Sequence, residues 1–220
     1  MKQFVASMLA VSALAFGLVT AVFAGDGKPQ IKFTAADQAA ARAVVLRRSD
    51  LGSSGWEGGP RKPDLSSTVS CAGFHPKVSD LVVTGAAETD FRRSGVELSS
   101  VVEVLKTRRM VRLDWRRSLL PRAVVPCLRK TLAAGLPAGA KVVSFGRAPF
   151  PRVGTRSARF RGVIRVDVFG RTTRLVADFV FLNRSRTEIT LNAVGPAAAK
   201  DALADAEVRL ARVMVRRARA

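Results

Sequence analysis

Tyrosine is absent from the 220-residue chain, histidine occurs once and cysteine twice. A single His removes the usual base of a Ser or Cys catalytic triad. With only two well-separated cysteines beside it, the chain offers no convincing zinc ligand set and no close dithiol for redox exchange. The nucleophile elbow, the phosphate-cradling glycine loop and the HExxH helix are missing as well. So few cysteines exclude a disulfide-dense mini-protein, and 17 glycines exclude a collagen-like repeat. Acidic residues are scarce: 17 Asp and Glu stand against 37 Lys and Arg, a formal charge of +20. Beyond the N-terminus no run is long and uncharged enough to cross a bilayer. What remains is 48% apolar residues, enough to drive collapse, on a length that fits one domain or at most two small ones.

The N-terminus carries an export pattern. Met1-Lys2-Gln3 is a short positive segment, Phe4 to Val22 is uncharged, and Val22-Phe23-Ala24 sets small residues at the −3 and −1 positions. This layout predicts a signal peptide over 1–24 with cleavage near Ala24, a flexible linker over 25–33 and a single α+β domain over 34–220. The alternative is an uncleaved N-terminal membrane anchor, since the uncharged run is long enough to span. No cysteine follows the run, so lipid attachment of the bacterial lipoprotein kind is not available. Export implies an oxidising compartment, and an even cysteine count there predicts a Cys71–Cys127 disulfide. Closing so long a loop is worth about 4 kcal/mol in the loop-entropy model.

Local patterns give the elements. Thr34 is placed to cap a helix whose first turn holds Asp37 and which runs towards Leu46, with Arg47-Arg48 at its negative end. Residues 49–70 are rich in Ser, Gly and Pro and read as a loop, with Trp56 as a plug over the core. Strands are expected at Leu81–Thr84 and Val96–Leu105, punctuated by Gly85 and Ser94-Gly95. A helix is expected over 107–118, stopped by Pro121, and a second one to Ala134 with Pro126 and Cys127 near its start. From Lys141 the period falls to two: Phe160, Ile164 and Val166 alternate with polar residues, and Leu175 to Phe181 is apolar on both faces, as in a central covered strand. Ile189, Leu191 and Ala193 form a further strand. Ala199, Leu203, Ala206, Leu210 and Val213 give a C-terminal amphipathic helix. The fold class is α+β, an antiparallel sheet with helices packed on it.

The order helix, Gly/Trp loop, first Cys, Ser79-Asp80-Leu81 with Val82-Val83-Thr84-Gly85, then Leu113-Asp114-Trp115-Arg116-Arg117, second Cys, meander, Arg186-Thr187-Glu188-Ile189-Thr190-Leu191 and Glu207-Val208-Arg209-Leu210-Ala211 resembles a class of secreted actinobacterial proteins of unknown function. The resemblance implies a PsbP-like α/β/α sandwich, related to mycobacterial secreted lipoproteins and extracellular sensor domains. It implies no catalytic residues, and fold by itself does not give function.

Charge is the unusual quantity. Residues 106–130 hold nine basic side chains and one acid, Asp114. Arg108, Arg112 and Arg116 recur every fourth residue along one helix face, Arg109 and Arg117 flank it, and Trp115 sits among them. These six residues are the candidate anion-binding set, with anionic envelope polymers or a membrane surface as partner and no specific nucleic acid. A merely solvated face fits the same residues, and 28 Arg against 9 Lys also fits GC-rich coding. His75, beside Pro76 and Cys71, reads as structural. Asp167 and Asp178 across a predicted hairpin are a weak carboxylate pair. No catalytic, metal or cofactor site is expected. The rival reading is a small-molecule or lipid carrier, ligand unknown, with Phe160, Phe179 and Phe181 lining a pocket between sheet and helices.

Overall fold

Strand-period residues joined by tight turns build one sheet here, and short amphipathic helices cover both of its faces. In the computed structural model residues 27–52, 54–65, 70–168 and 171–218 are described. The export segment 1–24, with its cleavage and anchor readings, lies outside the described residues.

The strands are β1 (Gln30–Ile31), β2 (Glu57–Arg61), β3 (Val82–Arg93), β4 (Val96–Leu105), β5 (Ala140–Ala148), β6 (Arg156–Val168), β7 (Arg171–Arg184) and β8 (Thr187–Pro196). They lie in the order β1-β3-β4-β8-β7-β6-β5, and β2 also pairs with β3. Among the described residues β1 alone runs parallel to its neighbour, and the remaining pairs are antiparallel. Left-handed backbone at Ser94 and Gly95 closes the β3–β4 hairpin, and Ser185 does the same between β7 and β8.

Alternation along β7 divides the two faces. Val176, Val180 and Leu182 pack with Val44 of α1 (Ala35–Val44) and with Leu203, Leu210 and Met214 of α4 (Lys200–Arg217). Burying a side chain such as Leu210 contributes about 1.5–3 kcal/mol. On the other face Phe179 and Phe181 meet Leu128 of α3 (Val124–Ala134) and Trp115 and Leu119 of a π-helical segment, Trp115–Leu119. That segment continues α2 (Arg108–Asp114). The α+β class and the covered central strand stand as expected. So does the disulfide: Cys71 and Cys127 are joined, with Cα atoms 5.6 Å apart and Cys127 in the first turn of α3.

Four expectations are corrected. Residues 30–34, placed in a linker or at its edge, are tied to β3 by Gln30 N–H to Leu81 O, Lys32 N–H to Val83 O and Thr34 N–H to Thr84 O, each 2.9 Å. The 49–70 loop contains β2; its Gly58-Gly59-Pro60 composition hid a strand that an edge position tolerates. Gly85 does not end a strand. It marks a register shift inside β3, and a Cβ there would come within 2.2 Å of the Asp37 carbonyl oxygen, so the glycine lets α1 seat on the sheet. The helix expected over 107–118 changes winding at Trp115 instead of running on as α. Trp56 is half-buried against the main core, which is the plug role.

Candidate functional site

The basic segment starts where Thr107 caps α2, its Oγ1 accepting from Met110 N–H at 3.2 Å. After the 7 residues of α2 the chain takes wider π winding, with Leu120 N–H donating to Trp115 O at 3.2 Å. The extra residue in that turn rotates the side chains C-terminal to it about the helix axis. Trp115, Ser118 and Leu119 turn into the core and Arg116 stays outside.

The six candidate residues therefore separate. Arg108, Arg109, Arg112 and Arg116 are exposed. Arg108 Nε donates to Ser185 Oγ at 3.2 Å, and Arg109, Arg112 and Arg116 form no ion pair with a described residue. Arg117 is held in a fork on Asp80, at 2.7 and 3.1 Å, and also donates to Lys77 O at 3.0 Å. This pairing holds the Asp80 carboxyl below its usual range. Trp115 is 5% exposed and belongs to the apolar cluster under α3, so it is removed from the open face. Its neighbours in sequence are charged, and the π turn that buries it leaves no trace in the residue pattern. Arg122, Arg129 and Lys130 add exposed charge around α3.

The one acid of the segment points inward. Asp114 accepts from Ser118 Oγ at 2.7 Å and lines a cavity of about 140 Å³ with Glu103 of β4 and Glu188 of β8, which lie opposite each other in the ladder. Burial pushes Asp114 up, partly offset by donors from Ser118 and Glu188. Burial pushes Glu103 up to about 7. Glu188 rises well above its ordinary range through burial first, then the charges of Asp114 and Glu103. Within this group the Glu188 carboxyl donates to Asp114. Sequence reading missed Glu103 and Glu188, because strand alternation alone places them on a face without saying what roofs it.

A second set of buried charges lies under α4. Arg161 forks onto Asp178, with Nε to Oδ1 at 2.7 Å, and Arg159 reaches Glu207 at 3.2 Å. Glu207 is pushed up to about 8 by burial and by its contact with Asp178. The carboxylate pair expected between Asp167 and Asp178 does not exist. Asp167 stands opposite Thr172 and Asp178 opposite Arg161, so the register sets them far apart along the strands. Asp167 is exposed near Arg165, 3.4 Å away. Asp178 instead contacts Glu207, where two arginines hold the charges in place. His75 is exposed, its Nδ1 2.7 Å from Ser70 Oγ beside the disulfide. Among the described residues no group of three or more His, Cys, Asp and Glu side chains is placed to hold a metal ion.

The carrier pocket fares poorly. Phe160 is fully buried in an aromatic group with Phe145 and Phe181, Phe179 packs against Phe145, and of the expected trio Phe181 alone lines the 140 Å³ cavity. That volume is well under the roughly 300–1,000 Å³ of sites for drug-sized ligands.

No protein-family model and no curated protein matches the chain. Among solved structures it is similar to the extracellular domain of PknH from Mycobacterium tuberculosis, at 11% identity and TM-score 0.48 over 82% of this chain and 95% of that one. An uncharacterised protein from Mycobacterium smegmatis aligns at 11% identity and TM-score 0.44, over 81% and 98% of the two chains. LpqN of Mycobacterium tuberculosis, described as involved in cell envelope biogenesis, aligns at 11% identity and TM-score 0.34, over 72% and 76%. At TM-scores below 0.5 a common fold does not follow, and no role of these proteins transfers to this chain.

Proposed function

We propose that this chain is an exported, non-catalytic α+β domain that associates with anionic envelope polymers or lipid headgroups through α2 and its π-helical continuation. The observation that supports the reading is the direction of charge in the segment. Asp114 is turned into a cavity, Asp80 neutralises only Arg117, and Arg109, Arg112 and Arg116 face solvent with no acid of the described residues against them. Such a face attracts polyanions through many weak, long-range contacts. The Cys71–Cys127 bridge supports an oxidising, extracytoplasmic location. The kinship with secreted actinobacterial proteins of PsbP-like fold belongs to this same proposal.

Co-sedimentation with vesicles tests it. Retention is expected on vesicles carrying anionic headgroups and not on zwitterionic ones, with release as salt shortens the Debye length from about 10 Å at 0.1 M to about 3 Å at 1 M. Equal retention on zwitterionic vesicles, or retention that salt does not weaken, overturns the reading.

A further inference from the structure

Away from the basic segment, the sheet end where β4 begins and β8 finishes lies between two walls that do not close. One wall is α4. Ala202, Ala206 and Arg209 fall four and three residues apart, on one side of the helix, and Ala199 just before it continues their line. The other wall is Trp56, with Leu51 beside it. Alanine methyl groups are too short to fill the space up to the indole, and a groove of about 190 Å³ remains. Val96 and Leu98 of β4 and Gly195 of β8 form its floor. A Cβ on Gly195 would meet Val96 at 3.6 Å and Leu203 at 3.8 Å, so the missing side chain deepens the groove.

The indole wall is held in place. Arg48 donates to the carbonyls of Trp56 and Gly58, the latter at 2.8 Å, and Trp56 packs against the main core that includes Leu98, Leu203 and Leu210. Arg209 is the one charged side chain that lines the groove. Its Nη1 donates to Asp50 O at 2.8 Å, which ties it across the end of the groove to the short 3-10 turn Arg48–Leu51. No other hydrogen bond and no ion pair engages Arg209 among the described residues. The nearby acids do not neutralise it. The Asp50 carboxylate is forked by Arg217 and accepts from Arg47 N–H at 2.8 Å, and Asp205, one turn earlier on α4, is exposed and forms no pair with Arg209. Most of the guanidinium's N–H donors are therefore open to an acceptor.

We propose that this groove binds a carboxylate carrying one aromatic ring on a short stem, with the ring between Trp56 and the alanine side of α4 and the carboxylate on Arg209. Volume sets the size of the apolar part. A cavity of about 150 Å³ lined by apolar side chains takes up benzene. At 190 Å³ the groove holds a single ring with its stem and is too small for a fused polycycle or a long acyl chain. Trp56 offers an aromatic surface for offset or edge contact. Arg209 offers planar, charge-assisted donors matched to a carboxylate, in a chain whose charge of +20 draws anions. The groove uses no residue of α2 or its π-helical continuation, so it stands or fails independently of the proposed envelope association.

The experiment is an NMR titration of the purified chain with 3-phenylpropionate, 3-phenylpropanol and propionate at one fixed ionic strength, which makes general attraction to the chain's charge common to the two acids. Saturable shifts of the Trp56 indole N–H and of the Ala202 and Ala206 amides are expected with 3-phenylpropionate. The alcohol is expected to bind about tenfold more weakly, and propionate to give no saturable response. Arg209→Gln is expected to bring the acid down to the affinity of the alcohol and to leave the alcohol unchanged. Ala206→Leu fills the groove with a good helix former and is expected to remove binding of both. Each variant is checked for a native amide spectrum. Equal affinity for acid and alcohol, the same shifts from propionate, undiminished binding of the acid in either variant, or no saturable shift with 3-phenylpropionate overturns the proposal.

Discussion

At the scale of single residues, the chain keeps most of its few acids out of open solvent, and their protonation sets the pH dependence of stability. Glu97 and Glu103 fold with pKa values near 7 and Glu207 near 8, against an ordinary 4.5. The native state therefore binds more protons than the unfolded chain between about pH 4.5 and 8, so the stability these groups contribute is full below that window and is lost as pH rises through it. Urea unfolding at pH 5 and pH 8 is expected to show the loss, and Glu103→Gln to recover about 1–3 kcal/mol at pH 8 with little gain at pH 5. Asp37 has the opposite sign. The Arg186 fork, at 2.6 and 3.0 Å, holds its carboxyl below 3.8, so its contribution is present above that value and falls away as acid protonates it. Arg161→Met leaves Asp178, 1% exposed, without its fork, and denaturation is expected to show a loss of about 3–5 kcal/mol.

At the scale of elements, Gly85 and the π turn decide how helices meet the sheet. Gly85→Ala drives a Cβ into the backbone of α1 at Asp37. The expected result is loss of several kcal/mol, on the scale of a steric clash in a packed core, with faster amide exchange in α1 as the local readout. Much of this level was legible beforehand. The ends of β4, the Thr34 cap, the stop at Ala134 and the apolar stripe of α4 derive from caps, turns and periodicity, which are local in sequence. What was not legible depends on partners far along the chain. β2 is a strand only because β3 offers it an edge, Asp178 meets Arg161 and Glu207 only through register and helix docking, and Trp115 leaves the basic face only because π winding replaces α. The same winding splits the candidate site: Arg109, Arg112 and Arg116 remain on the open side, and Arg117 is spent on Asp80.

At the scale of the whole molecule, one covalent bridge and a separation of charge define the account. Cys71–Cys127 ties the connector before β3 to α3, 56 residues on. Replacing both cysteines by Ala is expected to lower stability by about 4 kcal/mol, measured as a lower urea midpoint with a steeper slope, because the unbridged denatured chain is more expanded. The larger claim is that Arg109, Arg112 and Arg116, a small part of the chain's net charge of +20, form an open basic face on α2 and its continuation, with the segment's own acid withdrawn beneath it. The most direct test measures affinity for anionic vesicles against salt concentration for the native chain and for Arg109→Glu/Arg112→Glu/Arg116→Glu. A steep fall of affinity with salt is predicted for the native chain and a much shallower, weaker response for the triple variant, both proteins being equally folded. Identical salt curves for the two would contradict that claim.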